Sequence, residues 1–551
     1  MSDTIRIALA QLNPHLGDLR GNAERIRVAR AEAARLGADL LVTAEFSIAG
    51  YPPEDLVLRP AFNAAAAAAI ETLAAETADG GPGLVLGGPW VEGGRRYNAL
   101  FVADGGRIIA RRAKHELPNC GVFDDRRLFD AGPAPGPVAF RGFRLGLMIG
   151  EDGWFPAVSE TLAETGAEVL ISINASPFEI GRPERRVDLA VPRVVETGLG
   201  LVFLGQLGGQ DELVFDGASF VLNPDRSLAV QMPLFEPAVI LTEWHRAEGR
   251  LVCAPQALAK LPSREEQIWQ AMMLGLRDHV EKNRFPGVVL GLSGGIESAV
   301  SAAVAADALG PERVRAVMMP SPGTNRTSLE DAAACAAQLG IRYETIDIGP
   351  AMAAFQAMLA PAFADRPADA TGENIQSRVR GLTLMALSNT SGEMVLTTGN
   401  KSEISLGYAT LHGDMCGGYS VLKDLYKTQV VALGRWRNAH VPAGARGPRG
   451  PVVPERVITR PPSAGSRPGQ DSLPPHVVLD AILEGLVEHE RDIDALVAEG
   501  HDRATVLRVW RMLDRAEYKR RQAPPGVKIG PRAFGRDRRY PITNGYTNLI
   551  A

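Results

Sequence analysis

The sequence predicts an α/β protein of two domains: an N-terminal unit of packed sheets covered by helices, and a C-terminal unit built on a doubly wound parallel sheet. Three observations support this. The 551 residues are too many for one hydrophobic core. Up to about residue 250, short apolar or alternating runs outnumber helical stretches. After about residue 268, apolar strands alternate strictly with helical patterns, which favours a parallel sheet.

The first domain, expected over residues 1–252, is rich in predicted strands. Apolar or alternating runs predict strands at residues 4–12, 39–46, 83–91, 98–104, 143–150, 168–176 and 200–208. Helical patterns cover residues 21–37 and the alanine-rich stretch 61–78. Many strands with few helices indicate sheets that pack together beneath helices.

The second domain is expected over residues 268–551, after a linker at 253–267. The predicted order is strand 285–293, helix 296–310, strand 314–320, helix 328–340 and strand 342–348. Farther along, a region rich in Pro, Gly and Arg predicts a long loop over 441–476, and apolar spacing predicts helix over 476–497.

Composition excludes several classes of protein. The net charge is −5, so nothing global favours nucleic acid or an anionic membrane as a partner. The four cysteines are far apart and form no CxxC pair, which argues against a disulfide framework or zinc site and for a reducing cytosol. No apolar run approaches the ~20 residues of a membrane span, and no basic leader is visible. We therefore expect a soluble cytoplasmic protein with no nucleic-acid or membrane partner.

A phosphate loop is predicted where GLSGGIESAV (291–300) follows a strand and opens a helix. Two successive glycines let several backbone N–H groups face one oxyanion, and the helix N-terminus adds its partial positive charge. The pattern is neither GxxxxGK[ST] nor GxGxxG, which argues against a P-loop NTPase or a dinucleotide-binding Rossmann domain. The candidate ATP-binding residues here are Gly291, Leu292, Ser293, Gly294, Gly295, Ile296, Glu297 and Ser298.

The second domain resembles the NAD synthetases of the ATP pyrophosphatase superfamily. The resemblance rests on the SGGxDS-like loop and on four further stretches, ENIQSRVRG (373–381), 397–428, EYKRRQAPPGVKI (517–529) and RAFGRDRRYPIT (532–543). It implies a Rossmann-like ATP pyrophosphatase fold. It also implies that ATP activates the carboxylate of deamido-NAD as an acyl-adenylate, releasing pyrophosphate, and that ammonia then displaces AMP.

The resemblance also implies roles for single residues. Thr398 would contact ATP, Asn374 and Lys519 would contact deamido-NAD, and Glu403 would serve both deamido-NAD and Mg²⁺. The family usually has Asp where this chain has Glu297, the second expected Mg²⁺ ligand; the longer side chain keeps the charge but moves its oxygens. We interpret the basic runs at 435–467 and 519–539 as local counter-charge for the anionic substrates.

The first domain resembles the nitrilase superfamily, which folds as an α-β-β-α sandwich and hydrolyses amides with a Glu-Lys-Cys triad. VTAEFSIAGYPPEDL (42–56) matches the segment of the general base, giving Glu45. RRAKHELPNCGVFDD (111–125) matches the lysine segment, giving Lys114 as the oxyanion-stabilising residue. Residues implied to bind glutamine are Cys120, Ser176 and Arg182. A nitrilase-like domain fused to an NAD synthetase is the architecture of the glutamine-dependent NAD synthetase family, whose members are usually homo-oligomers.

The nucleophile position breaks this pattern. Family members read like ICEDIWF where this chain reads IGEDGWF, which places Gly150 at the cysteine. Glycine has no side chain and cannot form the thioester on which glutamine hydrolysis depends. We therefore predict an impaired glutaminase and a synthetase that takes free ammonia. Rescue by the thiol of Cys120, six residues beyond Lys114, is a further hypothesis.

The sequence is also compatible with other functions. The shortened loop 461–476 and Gly323 also depart from the family pattern near the expected synthetase site. A catalytically retired homologue that binds nucleotides or partner subunits is therefore the main alternative. A tRNA-modifying ATP pyrophosphatase is disfavoured, because the nitrilase-like half and the EYKRRQ stretch have no place in one.

Overall fold

A computed structural model describes residues 3–363, 370–460 and 473–546. It divides into two compact units, Met1–Ser263 and Arg264–Ala551. Most of the shortened loop, residues 461–472, lies outside the described residues.

The first unit contains two large sheets. Its strands are β1 (Thr4–Gln11), β2 (Leu40–Thr43), β3 (Gly83–Glu92), β4 (Arg95–Asp104), β5 (Arg107–Ala113), β6 (Val138–Phe140), β7 (Phe143–Ile149), β8 (Val169–Asn174), β9 (Gly200–Gly205), β10 (Leu207–Gln210), β11 (Leu213–Asp216), β12 (Phe220–Leu222), β13 (Leu228–Gln231), β14 (Ala238–Ala247) and β15 (Arg250–Cys253). One sheet has the order β15-β14-β1-β2-β3-β4-β5, and the other has the order β13-β12-β9-β8-β7-β6. Strands β10 and β11 form a separate hairpin.

These sheets and their helices form a four-layer sandwich. The helices of the unit are α1 (Leu19–Arg35), α2 (Pro60–Glu76), α3 (Asp125–Leu128), α4 (Pro156–Glu164) and α5 (Arg182–Thr197). A buried cluster of β-branched and leucine side chains lies between the two sheets. A second cluster joins α1 and α2 to the outer face of one sheet, and a third joins α4 and α5 to the outer face of the other. The predicted α-β-β-α sandwich is confirmed.

The second unit is built on a parallel sheet, as predicted. Its strands are β16 (Val288–Gly291), β17 (Val314–Met318), β18 (Arg342–Thr345), β19 (Met394–Thr397) and β20 (Tyr419–Ser420). The order is β18-β17-β16-β19-β20, and every pairing in it is parallel. Because β17 and β18 extend to one side of β16 whereas β19 and β20 extend to the other, the order reverses between β16 and β19. Ligands of doubly wound sheets bind beyond the carboxyl ends of the strands at such a point.

Helices complete the second unit. They are α6 (Arg264–Lys282), α7 (Ile296–Leu309), α8 (Arg326–Leu339), α9 (Gly349–Phe363), α10 (Thr371–Ser391), α11 (Lys401–Leu406), α12 (Lys427–Ala439), α13 (Glu455–Thr459), α14 (His476–Val487), α15 (Ile493–Ala498), α16 (Arg503–Arg515) and α17 (Glu517–Arg520). A separate apolar cluster joins α11 to α14, α15 and α16. None of the described helices is long and apolar enough to cross a membrane.

Two sequence predictions of secondary structure were wrong. The stretch 476–497 is two helices, because Glu490 has a φ of +51° and the side chain of Asp492 accepts a hydrogen bond from the Ala495 amide, which starts a new helix. The predicted loop 441–476 contains the one-turn helix α13, which starts after Pro454 and buries Val457. In addition, α6 begins at Arg264, inside the segment expected as a linker.

Candidate functional sites in the two units

The phosphate loop connects β16 to α7 at the switch point of the second unit. Gly294 has a φ of +79°, and a Cβ there would collide with the carbonyl oxygen of Ser328, so the turn requires glycine. The Oγ of Ser298 accepts a hydrogen bond from the Ser293 amide at 3.2 Å and donates one to the carbonyl of Gly295 at 3.0 Å. These bonds hold the loop curled over the N-terminus of the 14-residue α7, a suitable place for an anion.

A cavity of about 880 Å³ opens beside this loop. Five of the predicted site residues line it: Ser293, Glu297, Ser298, Thr398 and Glu403. They come from two chain segments, one after β16 and one after β19, which the parallel pairing brings side by side. The cavity is large enough for a nucleotide.

Asn400 links the two acidic residues of the cavity. Its side-chain Oδ1 accepts a hydrogen bond from the backbone N–H of Glu403 at 2.9 Å, and its own backbone N–H donates to Oε2 of Glu403 at 3.1 Å. Its Nδ2 donates to Oε1 of Glu297 at 3.0 Å. Desolvation in the cavity wall raises the pKa of Glu403 to about 8, and the nearby charge of Glu297 adds to the effect. The two carboxyl groups therefore repel each other when both are ionised.

The carboxyl groups of Glu297 and Glu403 suit a Mg²⁺ ion that is bound together with a nucleotide. Within the described residues, no group of three or more His, Cys, Asp or Glu side chains is arranged to hold a metal ion. Mg²⁺ commonly uses one or two carboxylates and completes its shell with substrate phosphates and water. Glu297 and Glu403 line a cavity that also contains the phosphate loop. Their carboxylate oxygens can bind a cation that arrives with ATP, and the cation would relieve the repulsion between the two ionised groups.

Of the three residues predicted to contact deamido-NAD, Glu403 lines the cavity, whereas Asn374 and Lys519 are not among its lining residues. Oδ1 of Asn374 accepts a hydrogen bond from the Thr410 hydroxyl at 2.9 Å. Nζ of Lys519 donates to the carbonyls of Gly407 and Ala409 at 2.7 and 2.9 Å. Both side chains therefore hold the segment 407–410, whose residue Ala409 lines the cavity.

The interpretation of the basic runs as counter-charge for substrates was wrong for their buried members. Arg437 forms a buried pair with Asp307, and Arg520 and Arg538 both pair with Glu517. These groups are engaged by carboxylates within the protein, because a buried guanidinium needs a carboxylate partner. The Arg437–Asp307 pair joins α12 to α7, whereas Arg520 and Arg538 share Glu517 of α17.

Three further residues that were not predicted from the sequence also line the cavity: Lys423, Lys427 and His476. Nζ of Lys427 contacts Oε1 of Glu297, and Nζ of Lys423 donates to the carbonyl of Pro524 at 2.7 Å. Burial lowers the pKa of His476, and the charge of Lys427 lowers it further. The two lysines stand four residues apart inside the stretch 397–428, so their spacing was a signal that could have been used.

In the first unit, Gly150 occupies a sharp turn at the end of β7. Its φ is +53°, and it is the first residue of a short 3₁₀ turn, Gly150–Gly153. A Cβ at this position would lie 2.9 Å from both Oε2 of Glu45 and Nζ of Lys114. Such strained strand-to-helix turns are where several hydrolases expose a nucleophile. The backbone thus points position 150 directly at the two predicted catalytic residues.

Glu45 and Lys114 lie in a buried cluster of charges. Nζ of Lys114 lies 3.0 Å from Glu45, 2.9 Å from Asp125 and 2.7 Å from Glu151. Glu45 also accepts hydrogen bonds from Nδ2 of Asn98 at 2.7 Å and from the Ala175 amide at 2.9 Å. Asp125 and Glu151 were not among the predicted site residues, because neither composition nor spacing along the sequence indicates that their side chains are buried beside Lys114.

Burial and charge act in opposite directions on this cluster. Desolvation raises the pKa of Glu45 to about 7, although the Lys114 charge opposes the shift. Desolvation alone would lower the pKa of Lys114, but Asp125, Glu151 and Glu45 outweigh it and raise that pKa well above its usual range. Lys114 is therefore held as a cation, and Glu45 titrates near neutrality, where a general base is most effective.

The predicted glutamine-binding residues have different surroundings. Ser176 is buried and accepts a hydrogen bond from Nε of Arg186 at 3.1 Å; Arg186 in turn forms a bidentate pair with Asp216. Arg182, the first residue of α5, pairs with Glu179 at 2.8 Å, and its guanidinium lies 5.7 Å from the Trp154 ring.

Cys120 is exposed, whereas Glu45 and Lys114 are buried. The Ser176 segment joins the buried cluster through the hydrogen bond from Ala175 to Glu45.

The two units define a class of protein: a carbon-nitrogen hydrolase domain joined to an NAD synthase domain. Residues 6–252 match the carbon-nitrogen hydrolase family and residues 268–523 match the NAD synthase family. Over 99% of both chains, the sequence is 49% identical to the glutamine-dependent NAD(+) synthetase of Rhodobacter capsulatus. It is 43% identical to the enzyme of the same name from Acinetobacter baylyi, over 98% of this chain and 99% of the relative.

A solved structure agrees with these sequence matches. The glutamine-dependent NAD+ synthetase from Acinetobacter baumannii, in complex with ADP, is 40% identical, covers 98% of this chain and 99% of its own, and gives a TM-score of 0.78. The chain belongs to the glutamine-dependent NAD(+) synthetase family.

Proposed function

We propose that this protein makes NAD by ATP-dependent amidation of deamido-NAD, and that it takes ammonia directly because its glutaminase half has no nucleophile. The observation that carries the first part is the cavity at the switch point, where a phosphate loop, Thr398 and two carboxylates meet. The relative from Acinetobacter baumannii was solved in complex with ADP, which supports an adenine nucleotide as a ligand of this protein. The observation that carries the second part is Gly150, placed at the turn that faces Glu45 and Lys114.

In the synthetase half, the chemistry consists of two displacements. A carboxylate oxygen of deamido-NAD attacks the α-phosphorus of ATP, and the bond to pyrophosphate breaks. Ammonia then attacks the acyl carbon, the bond to AMP breaks, and the nitrogen loses a proton. The loop around Ser293 and Ser298, together with the N-terminus of α7, would hold the departing pyrophosphate. Glu297 and Glu403 would hold Mg²⁺, which supplies positive charge to the phosphates.

In the glutaminase half, Glu45 and Lys114 remain as a base and a cation without a partner to activate. Hydrolysis through a thioester needs a sulfur that attacks the glutamine carbonyl and later leaves. Gly150 supplies no such atom, and removing the nucleophile of a catalytic triad typically removes most of the rate enhancement. Glutamine binding through Ser176 and Arg182 does not depend on that atom, so binding without cleavage is expected.

The test is NAD formation from deamido-NAD, ATP and Mg²⁺ with either ammonium or glutamine as the nitrogen source. We expect NAD from ammonium and none from glutamine at equal concentration. NAD from glutamine would contradict the assignment to Gly150; the Cys120→Ala variant then tests whether that exposed thiol is responsible. Failure with both nitrogen sources would favour a retired homologue that binds nucleotides without turning them over.

A further inference from the structure

Glu297 and Lys427 form an ion pair inside the cavity of the second unit. Glu297 is the second residue of α7 and Lys427 is the first residue of α12. Nζ of Lys427 contacts Oε1 of Glu297, and the same oxygen accepts the hydrogen bond from Nδ2 of Asn400 at 3.0 Å. The two side chains are 16% and 15% exposed, so the pair is only partly screened by solvent.

A bound nucleotide with its cation would require both members of this pair. A lysine beside a phosphate loop is suited to phosphate oxygens, whereas a carboxylate is suited to the cation that accompanies them. In the structure, each of the two groups is instead neutralised by the other. Metal-free ATP offers a new partner to Lys427 but leaves Glu297 facing a polyanion. ATP that arrives with Mg²⁺ offers a partner to each side chain.

We propose that the Glu297–Lys427 pair is a latch that couples nucleotide binding to the divalent cation. This inference rests on the proposed nucleotide site. While the ion pair is intact, the latch is closed and Nζ of Lys427 is held by Glu297, so it cannot bind phosphate oxygens. When a cation binds the carboxylate of Glu297, the pair breaks and Lys427 can bind the phosphates. Because coupling between two ligands is reciprocal, the nucleotide raises the affinity for the cation by the same factor.

The length of the side chain at position 297 decides whether the latch can close. An aspartate would place the carboxylate one methylene, about 1.5 Å, closer to α7. Its oxygens would be withdrawn from Lys427 on α12, although the negative charge would remain in the cavity. Glu297→Asp therefore opens the latch and keeps the charge, whereas Glu297→Gln weakens the latch by removing the charge.

The test measures binding of α,β-methylene ATP to the full-length protein by calorimetry, with EDTA or with Mg²⁺. The variants are Glu297→Gln, Lys427→Met and the double variant. We expect Glu297→Gln to tighten metal-free binding by about fivefold to tenfold, a typical size for coupling between sites. In the Lys427→Met background, the same substitution should change binding less than about twofold, because there is no lysine left to release.

The controls separate the latch from its alternatives. If Glu297→Gln tightens metal-free binding of the analogue equally in the parent and in the Lys427→Met background, the latch is overturned, because simple repulsion between the carboxylate and the phosphates then explains the effect. If Glu297→Gln does not tighten binding at all, the latch is overturned too. Lys423 lines the same cavity, so Lys423→Met should leave the gain from Glu297→Gln intact. If thermal unfolding shows that Glu297→Gln does not fold, Glu297→Asp replaces it, and unchanged metal-free affinity in that variant overturns the latch. Failure of the parent protein to bind the analogue even with Mg²⁺ would instead refute the proposed nucleotide site.

Discussion

Nζ of Lys114 lies 3.0 Å from Oε1 of Glu45, and both side chains are almost completely buried. The residues are 69 positions apart in the sequence, and two more carboxylates, from Asp125 and Glu151, contact the same ammonium group. Burying these charges has a large desolvation cost, which their mutual attraction offsets only if every partner is present. The first unit thus retains a preorganised charged cluster around a position that has no side chain.

Removing the ammonium group should destabilise the first unit strongly. In Lys114→Met, three buried carboxylates lose their shared cation, so we expect a loss of about 3–5 kcal/mol in the free energy of unfolding. The matched control is Arg111→Met, which breaks the exposed pair with Glu71 and should cost less than about 1 kcal/mol. Denaturant unfolding of the full chain measures both. Equal effects of the two substitutions would contradict the account of the buried cluster.

Gly150→Cys should allow a covalent intermediate to form with glutamine. A side chain at φ +53° is strained by about 1–2 kcal/mol, and its Cβ would press on Glu45 and Lys114, so the variant should also be less stable. Mass spectrometry of the protein quenched with glutamine would detect the added glutamyl group. Gly150→Ala has the same backbone strain without a nucleophile and should show the loss of stability alone. If the Gly150→Cys variant folds but never forms the adduct, Glu45 and Lys114 do not support a nucleophile at position 150.

The pH dependence of stability should include a contribution from Glu45. Its pKa is about 7 in the fold, mainly because of burial, against about 4.3 in an unfolded chain. The folded state therefore holds the proton more tightly, and the stability this provides is complete below pH ~4.3 and is lost as the pH rises through about 7.

Relative to Glu45→Gln, which cannot titrate, the parent protein should lose about 3 kcal/mol between pH 4.5 and 8. Unfolding midpoints of the two proteins across this range measure the difference. A constant difference would mean that Glu45 does not change its protonation state there.

The phosphate loop should be intolerant of any side chain at Gly294. In Gly294→Ala the new methyl group meets the backbone carbonyl of Ser328, and the residue keeps a φ of +79° only with strain. We expect ATP to bind more than about tenfold more weakly, since the loop must change shape. Gly323→Ala is the matched control, because nothing lies within 4 Å of its Cβ and it should bind ATP normally. Calorimetric titration with ATP and Mg²⁺ compares the two; similar affinities would contradict the assigned loop geometry.

Local sequence pattern was sufficient for the scaffold. The alternation of β16, α7, β17, α8 and β18 is visible in the sequence, because each element has the apolar spacing of its own type. The same holds for the strands that form the core of the sandwich. The break between α14 and α15 was missed, since apolar spacing continues across it and only the φ of Glu490 and the cap at Asp492 interrupt the helix.

The sequence by itself determined the two kinds of domain, the glycine-containing loop between β16 and α7 and the absence of a side chain at position 150. The tertiary structure decided which charges meet. Asp125 and Glu151 join Lys114, and Lys427 reaches Glu297 from 130 positions away, because separate strands and helices converge there. It also decided that Arg437 and Arg520 are engaged by carboxylates within the protein. Charges interact through space over a few ångströms, and no one-dimensional pattern records that distance.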